Sequence, residues 1–243
     1  AYVHYTKFKS MLKRGFTQQQ EAAAAAKAAS HNYGMCKLSK YHKARSCKLT
    51  YEETKSLPLS EQITKPTPME VTVAAASELE AFFERLRRAD PALPIKTDEI
   101  GSYEQFNRGA FYTDGRIDLC KQVVGPDHIE ALMASFVDNP HVKHFLLGNN
   151  IIGIRGARAI ANFIKNPDKK SNISTWYLAG NCIDGEGMEL IAEALAHDTH
   201  CKQLWLKRNP IGVRGAAALA KMFETNNTIE VLDLDNTAIM DEG

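Results

Sequence analysis

Residues 142–157, 173–188 and 201–216 can be laid over one another: VKHFLLGNNIIGIRGA, ISTWYLAGNCIDGEGM and CKQLWLKRNPIGVRGA. A fourth copy begins at Ile229 and reaches Gly243. The glycines at the matched position, Gly156, Gly187, Gly215 and Gly243, are spaced 31, 28 and 28 residues apart. A fixed period of this size constrains the fold more than any other feature of the chain, because one such unit cannot bury its own apolar faces and a stack of them can. Stepping back one period from the first copy places Ile117, Leu119, Val124, Gly125, Ile129, Leu132 and Phe136 on pattern positions, with Gln122 in place of the asparagine and His128 in place of the glycine. That segment reads as a worn first repeat.

Within each unit the pairs Phe145/Leu147, Trp176/Leu178, Leu204/Leu206 and Leu232/Leu234 alternate with period two, which predicts a short strand with one buried face. Asn150, Asn181 and Asn209 follow three residues after the last strand leucine, where an amide can satisfy main-chain groups as the chain leaves the strand. Inward-pointing Ile152, Ile183, Ile211 and Ile239 come next. The glycine then opens a helix whose Ala157/Ile160/Ala161/Ile164, Met188/Ile191/Ala192/Leu195 and Ala216/Leu219/Ala220/Phe223 keep helical spacing.

This Leu-x-Leu-x-x-Asn-x-Ile-Gly-x-x-Gly-Ala pattern with its 28-residue period resembles the ribonuclease-inhibitor-type leucine-rich repeat over residues 114–243. The resemblance implies an α/β solenoid, with a curved parallel sheet inside and helices outside. Repeats are expected near 114–141, 142–172, 173–200 and 201–228, with a partial one at 229–243. Departures are Thr237 at the asparagine position and three extra residues around Pro167 to Ser171. The last copy has no helix, so its strand and core are expected to be open unless more chain or a partner covers them.

The near-neutral formal charge of +1 hides two unlike parts. Residues 1–50 carry Lys7, Lys9, Lys13, Arg14, Lys27, Lys37, Lys40, Lys43, Arg45 and Lys48 against the single acid Glu21, a net of +9, which leaves −8 for the rest. Such asymmetry marks an arm with its own partner. A helix over roughly 17–30, from the capping-box pattern at Thr17 and the alanines that follow, is expected inside a basic arm and linker over 1–70. In 71–113 a second capping box, Ser77 with Glu80, and the stripe Leu79, Phe82, Phe83 and Leu86 predict a helix that covers the first repeat in a mostly helical or extended region.

On the concave face of a repeat sheet, side chains that do not enter the core stand in rows across the strands. One row reads Asp118, Leu146, Tyr177, Trp205, Asp233; the next reads Cys120, Gly148, Ala179, Lys207, Asp235; a third reads Lys121, Asn149, Gly180, Arg208, Asn236. Leu146, Tyr177 and Trp205 form an apolar strip rimmed by Lys207, Arg208, Asp233 and Asp235, the anatomy of a protein-contact site. The chain's own amino-terminal region is the alternative cover for that strip. The arm supports three uses: neutralising phosphates of a nucleic acid, threading over an acidic protein surface in a complex, or remaining a solvated face.

Chemistry-bearing patterns are sparse. His31, Cys36, His42 and Cys47 are too widely spaced for a structural zinc site, so no metal is expected. Gly153-Ile-Arg-Gly156 and Gly212-Val-Arg-Gly215 complete neither a Walker nor a dinucleotide pattern, so no cofactor is expected, and Arg155 and Arg214 take no evident catalytic role. The sequons at Asn172 and Asn226 carry little weight. Five cysteines at irregular spacing suit reduced thiols, and no run of eighteen apolar residues spans a membrane. The resulting expectation is a non-enzymatic scaffold subunit in the cytoplasm, or in a mitochondrion or plastid after presequence removal. A regulator of a small GTPase, implied by the resemblance to the Ran GTPase-activating protein, and an RNA-binding accessory subunit are the rival readings.

Overall fold

The computed structural model describes residues 3–4, 72–239 and 243. The predicted helix over 17–30, the basic residues of the arm and the His31/Cys36/His42/Cys47 group lie outside the described residues. In chain order the elements are β1 (Val3–His4), α1 (Ala76–Arg87), β2 (Lys96–Thr97), β3 (Ser102–Gln105), β4 (Ala110–Tyr112), β5 (Arg116–Asp118), α2 (Gly125–Ser135), β6 (His144–Leu146), α3 (Gly153–Lys165), β7 (Thr175–Tyr177), α4 (Gly185–Leu195), β8 (Gln203–Trp205), α5 (Gly212–Thr225) and β9 (Val231–Asp233). Among the described residues the nine strands join one sheet in the order β1-β9-β8-β7-β6-β5-β4-β3-β2.

From β5 to β9 the strands are parallel and joined by helices, one repeat per strand. Ile117, Phe145, Trp176, Leu204 and Leu232 stand in one register line and face the helices, with 6% exposure or less. Phe136, Phe145, Phe163 and Trp176 touch in sequence through that core, with ring centroids 4.9 to 6.0 Å apart. Each such ring or leucine contributes about 1.5–3 kcal/mol by leaving water, so shared burial between neighbours outweighs any single contact.

The repeat glycines let helices approach. A Cβ placed on Gly187 would lie 3.1 Å from Ala157 Cβ, and one on Gly215 would lie 3.2 Å from Met188 Cβ. Opposite them, the asparagines build a ladder at the strand ends. Asn150 donates Nδ2 to the carbonyls of Leu119 and Leu147, Asn181 to those of Leu147 and Leu178, and Asn209 to those of Leu178 and Leu206. All three are fully buried, and each ties its own repeat to the one before. In the last unit Thr237 Oγ1 reaches the carbonyl of Leu234 alone, because its side chain is too short to bridge.

Ahead of the repeats, α1 is followed by extended chain, and what the sequence does not announce is its pairing: β2, β3, β4 and β5 form an antiparallel meander that continues the sheet. Strands of two to four residues leave little periodicity to read. Helix α1 starts two residues earlier than the Ser77/Glu80 pattern predicts: Glu78 Oε2 accepts the N–H of Ala75, and Glu80 pairs with Arg87 instead. Glu78 also binds Arg108, and the Ala75 N–H and that guanidinium hold its carboxyl below the usual range. The α1 stripe Leu79, Phe82, Phe83 and Leu86 is buried in the common core, and Asn139 Nδ2 donates to the carbonyl of Leu86 as Asn226 Nδ2 does to that of Leu195. His128, at the worn glycine position, hydrogen-bonds the Ala74 carbonyl at 3.0 Å.

Arg85 and Glu104 form a paired-donor contact between α1 and β3, at 2.7 and 2.9 Å, with side chains 8% and 7% exposed. Spare donors and acceptors are used too: Arg85 Nη2 reaches the Pro91 carbonyl and the N–H of Leu93 reaches Glu104. At the far end, the outer edge of β9 is not open as expected. Val3 and His4 pair antiparallel with Leu232 and Val231.

Candidate functional site

Register decides which side chains share the sheet face turned away from the helices. Asp118, Leu146, Tyr177, Trp205 and Asp233 are aligned across five parallel strands, so the row read from the sequence exists as one line. Leu146, Tyr177 and Trp205 are each half-buried, and Asp233 is 6% exposed. The rings of Tyr177 and Trp205 stand 5.9 Å apart at 45°.

Tyr177 is fixed from three sides. Its ring lies over Gly148, where a Cβ would come within 2.6 Å of Cε1, and the same space touches Cys120 Sγ at 3.3 Å. Lys207 Nζ lies 5.6 Å from the ring centroid and 3.9 Å from Asp233 Oδ2. A cation over a ring and beside a carboxylate holds both in place and costs little ordering when something binds. Asp235 is exposed, and its N–H is held by Asp233 Oδ1.

Arg208 occupies a different kind of position from the one expected. Lys121, Asn149, Arg208 and Asn236 have φ values of 63°, 58°, 60° and 54°, and Gly180 has 66°, so the third row is a left-handed turn that ends each strand rather than a sheet position. Arg208 is half-buried there, with its N–H on the Asp235 carbonyl.

Sequence reasoning missed a second line, one step earlier along the strands. Tyr103, Tyr112, Arg116, His144, Thr175 and Gln203 succeed one another from β3 to β8 on the same face as Tyr177. Tyr103 stacks on Tyr112 at 4.9 Å, and the Arg116 guanidinium carbon lies 4.1 Å from the Tyr112 centroid. His144 Nδ1 is 2.9 Å from Thr175 Oγ1, which is 3.3 Å from Gln203 Oε1. Burial pushes the His144 ring below its ordinary range and, with the nearby Asp98 carboxylate, raises the Tyr112 phenol. The signal was available in the alternation itself, since the residue two before each strip position faces the same way.

On the helix side, Arg155 binds Asp127 at 2.8 Å and Arg214 binds Glu189 at 2.6 Å. The matched arginines therefore join neighbouring repeats. Asn226 of the second sequon is buried, with its Nδ2 on main-chain carbonyls. Among the described residues no group of three or more His, Cys, Asp or Glu is placed to hold a metal ion, and no helix is long and apolar enough to cross a membrane.

Comparison with known proteins fits this geometry. A family model described as a leucine-rich repeat matches residues 169–192. No curated protein matches the chain. Among solved structures, leiomodin-1 actin-binding site 2 is similar at 21% identity and a TM-score of 0.50, over 66% of this chain and 80% of that one. The tropomodulin C-terminal domain of Caenorhabditis elegans is similar at 13% identity and a TM-score of 0.49, over 68% of this chain and 86% of that one. The repeat match at residues 169–192 agrees with the observed architecture from β5 to β9, a parallel sheet backed by helices with a leucine-rich-repeat fold.

Proposed function

We propose that this chain is a non-enzymatic interaction module that captures a protein partner on the helix-free face of its repeat sheet. The carrying observation is the Leu146, Tyr177 and Trp205 line, half-buried and pre-set by Gly148 and Lys207 before anything binds. Folding of the repeats asks only for the helix-facing positions to be apolar, so large rings on the other face call for a use beyond folding. Aromatic anchors with a charged rim are what interfaces employ for affinity. In this reading the repeats are of the ribonuclease-inhibitor type, on their 28-residue period, and the basic segment within residues 1–50 supplies a second contact in a larger assembly.

Affinity capture by the full chain, with mass spectrometry of what is retained, tests the reading. Replacing Tyr177 and Trp205 together by Ala should abolish specific capture while leaving helix content and the melting midpoint in place. Capture that survives both substitutions would remove the strip as the site.

A further inference from the structure

The second line across the sheet has no part in the strip, yet it arranges one cation with care. The Arg116 guanidinium carbon stands over the Tyr112 ring, 4.1 Å from its centroid, and Tyr112 is backed by Tyr103, so the group is seated on two stacked rings. Its side chain is 18% exposed. The chain's own use of that group is slight. Nη2 binds Asp114 Oδ2 at 2.9 Å, two residues away on a side chain 52% exposed, and reaches the Ile100 carbonyl only at 3.5 Å. Nε is buried and makes no hydrogen bond. Guanidinium has five N–H donors, and the contacts to Asp114 and Ile100 all come from Nη2, so the group is far from saturated by its own chain.

The surroundings say what kind of group would fit. Asp114 already shows a carboxylate on Arg116, held from an exposed and easily exchanged side chain. Lys143 follows the same turn, donating its N–H to the Gly115 carbonyl at 2.8 Å, and His144 is the next residue in register with Arg116. The neighbouring Asp118 carboxylate is engaged by the N–H of Cys120. An incoming carboxylate would exchange for that of Asp114 like for like, so the charge balance around Arg116 is kept.

We propose that Arg116 is a carboxylate-binding site on the partner face, so that the segment captured on the strip pairs an acidic side chain with an apolar one. The inference rests on the strip being a partner site and names the chemistry the partner must present. Position follows from the sheet. Leu146 lies two residues beyond His144, which is Arg116's neighbour in register, so acid and apolar group sit about 8 Å apart, from about 6.7 Å along the strand and 4.8 Å between strands. Residues i and i+2 of an extended peptide, or i and i+4 of a helix, have a comparable reach.

The test uses a random twelve-residue peptide library displayed on phage and selected on the full-length chain, followed by synthetic versions of the binders. Peptides that lose binding to the Tyr177→Ala/Trp205→Ala variant should carry an Asp or Glu. Changing that acid to its amide should weaken binding to the unaltered chain about tenfold, and should have little effect on binding to Arg116→Gln. The loss on the unaltered chain is read from a change in the peptide alone, and retained binding of the unaltered peptide to Arg116→Gln shows that the variant is folded. Strip-dependent peptides without an acid, or an amide change that weakens neither chain or both equally, would overturn the carboxylate site and leave the strip standing. Failure to select any strip-dependent peptide would overturn both.

Discussion

Asn181 accepts the main-chain N–H of Asn150 through Oδ1 at 2.9 Å and donates Nδ2 to the carbonyls of Leu147 and Leu178. One buried amide thus serves three main-chain groups belonging to two repeats, and its own N–H is passed on to Asn209. Replacing Asn181 by Ala leaves the Asn150 N–H buried without its acceptor and takes one of the two amide donors from each of the Leu147 and Leu178 carbonyls, which keep Asn150 and Asn209, so a loss of about 3 kcal/mol is expected. Thr237→Ala, which removes one bond at the end of the ladder, should cost about 1 kcal/mol. Urea unfolding of the two variants checks the contrast; equal losses would show that the ladder does not act through shared bonds.

The Arg85 and Glu104 pair should behave differently from the ion pairs on the helix surface. With side chains 8% and 7% exposed, neither charge can turn to water when the other is removed. Glu104→Gln is therefore expected to destabilise by about 3 kcal/mol or more, largely from the uncompensated guanidinium. Arg155→Ala breaks contacts to Asp127 and Glu130 at a side chain 51% exposed, and should change stability by less than about 1 kcal/mol. The two losses, read from urea midpoints at low and at high salt, should also differ in sensitivity, with only the surface pair fading as salt screens it.

These two pairs mark where sequence reading reached its limit. The asparagine ladder was legible because Asn150, Asn181 and Asn209 recur at a fixed offset from the strand leucines, and repetition turns a weak local signal into a strong one. Arg85 and Glu104 occur once, 19 residues apart, on a helix and a strand whose packing no period announces. The meander from β2 to β4 was invisible for the same reason, and the α1 start was misplaced because Ser77/Glu80 mimics a cap that Ala75/Glu78 forms. On the helix-free face, alternation places Leu146, Tyr177 and Trp205 in one register line, as the sheet has them. It overreached at Arg208, since the recurrent left-handed turn that ends each strand is a backbone choice that side-chain type hardly encodes.

That turn gives a stabilising substitution. Lys121 holds φ at 63° with an exposed side chain, where three of the four matched positions use Asn149, Gly180 and Asn236 and the fourth is Arg208. Asparagine tolerates this region better than lysine because its short side chain bonds locally. Lys121→Asn should raise stability by about 0.5–1 kcal/mol, seen as a higher urea midpoint with an unchanged slope. A lower midpoint would mean that the lysine side chain contributes more than the backbone strain removes.

The thiols report on the same face. Burial, reinforced by the Asp118 carboxylate, pushes the Cys120 thiol up to about 12, and burial also raises Cys182 and Cys201. Near pH 8 all three are protonated in the folded chain, so the thiolate that iodoacetamide attacks is scarce. Cys201 is fully buried, whereas Cys182 is half-exposed and should label first as pH rises. Cys120 should stay unlabelled at pH 8 over a time that fully labels the urea-unfolded chain, as mapped by peptide mass spectrometry. Its Sγ shares the space over Gly148 with the Tyr177 ring, so Tyr177→Ala should uncover it and speed its labelling several-fold while Cys201 stays protected. If Cys120 labels quickly in the unaltered chain, the Tyr177 ring does not rest over Gly148 beside Cys120.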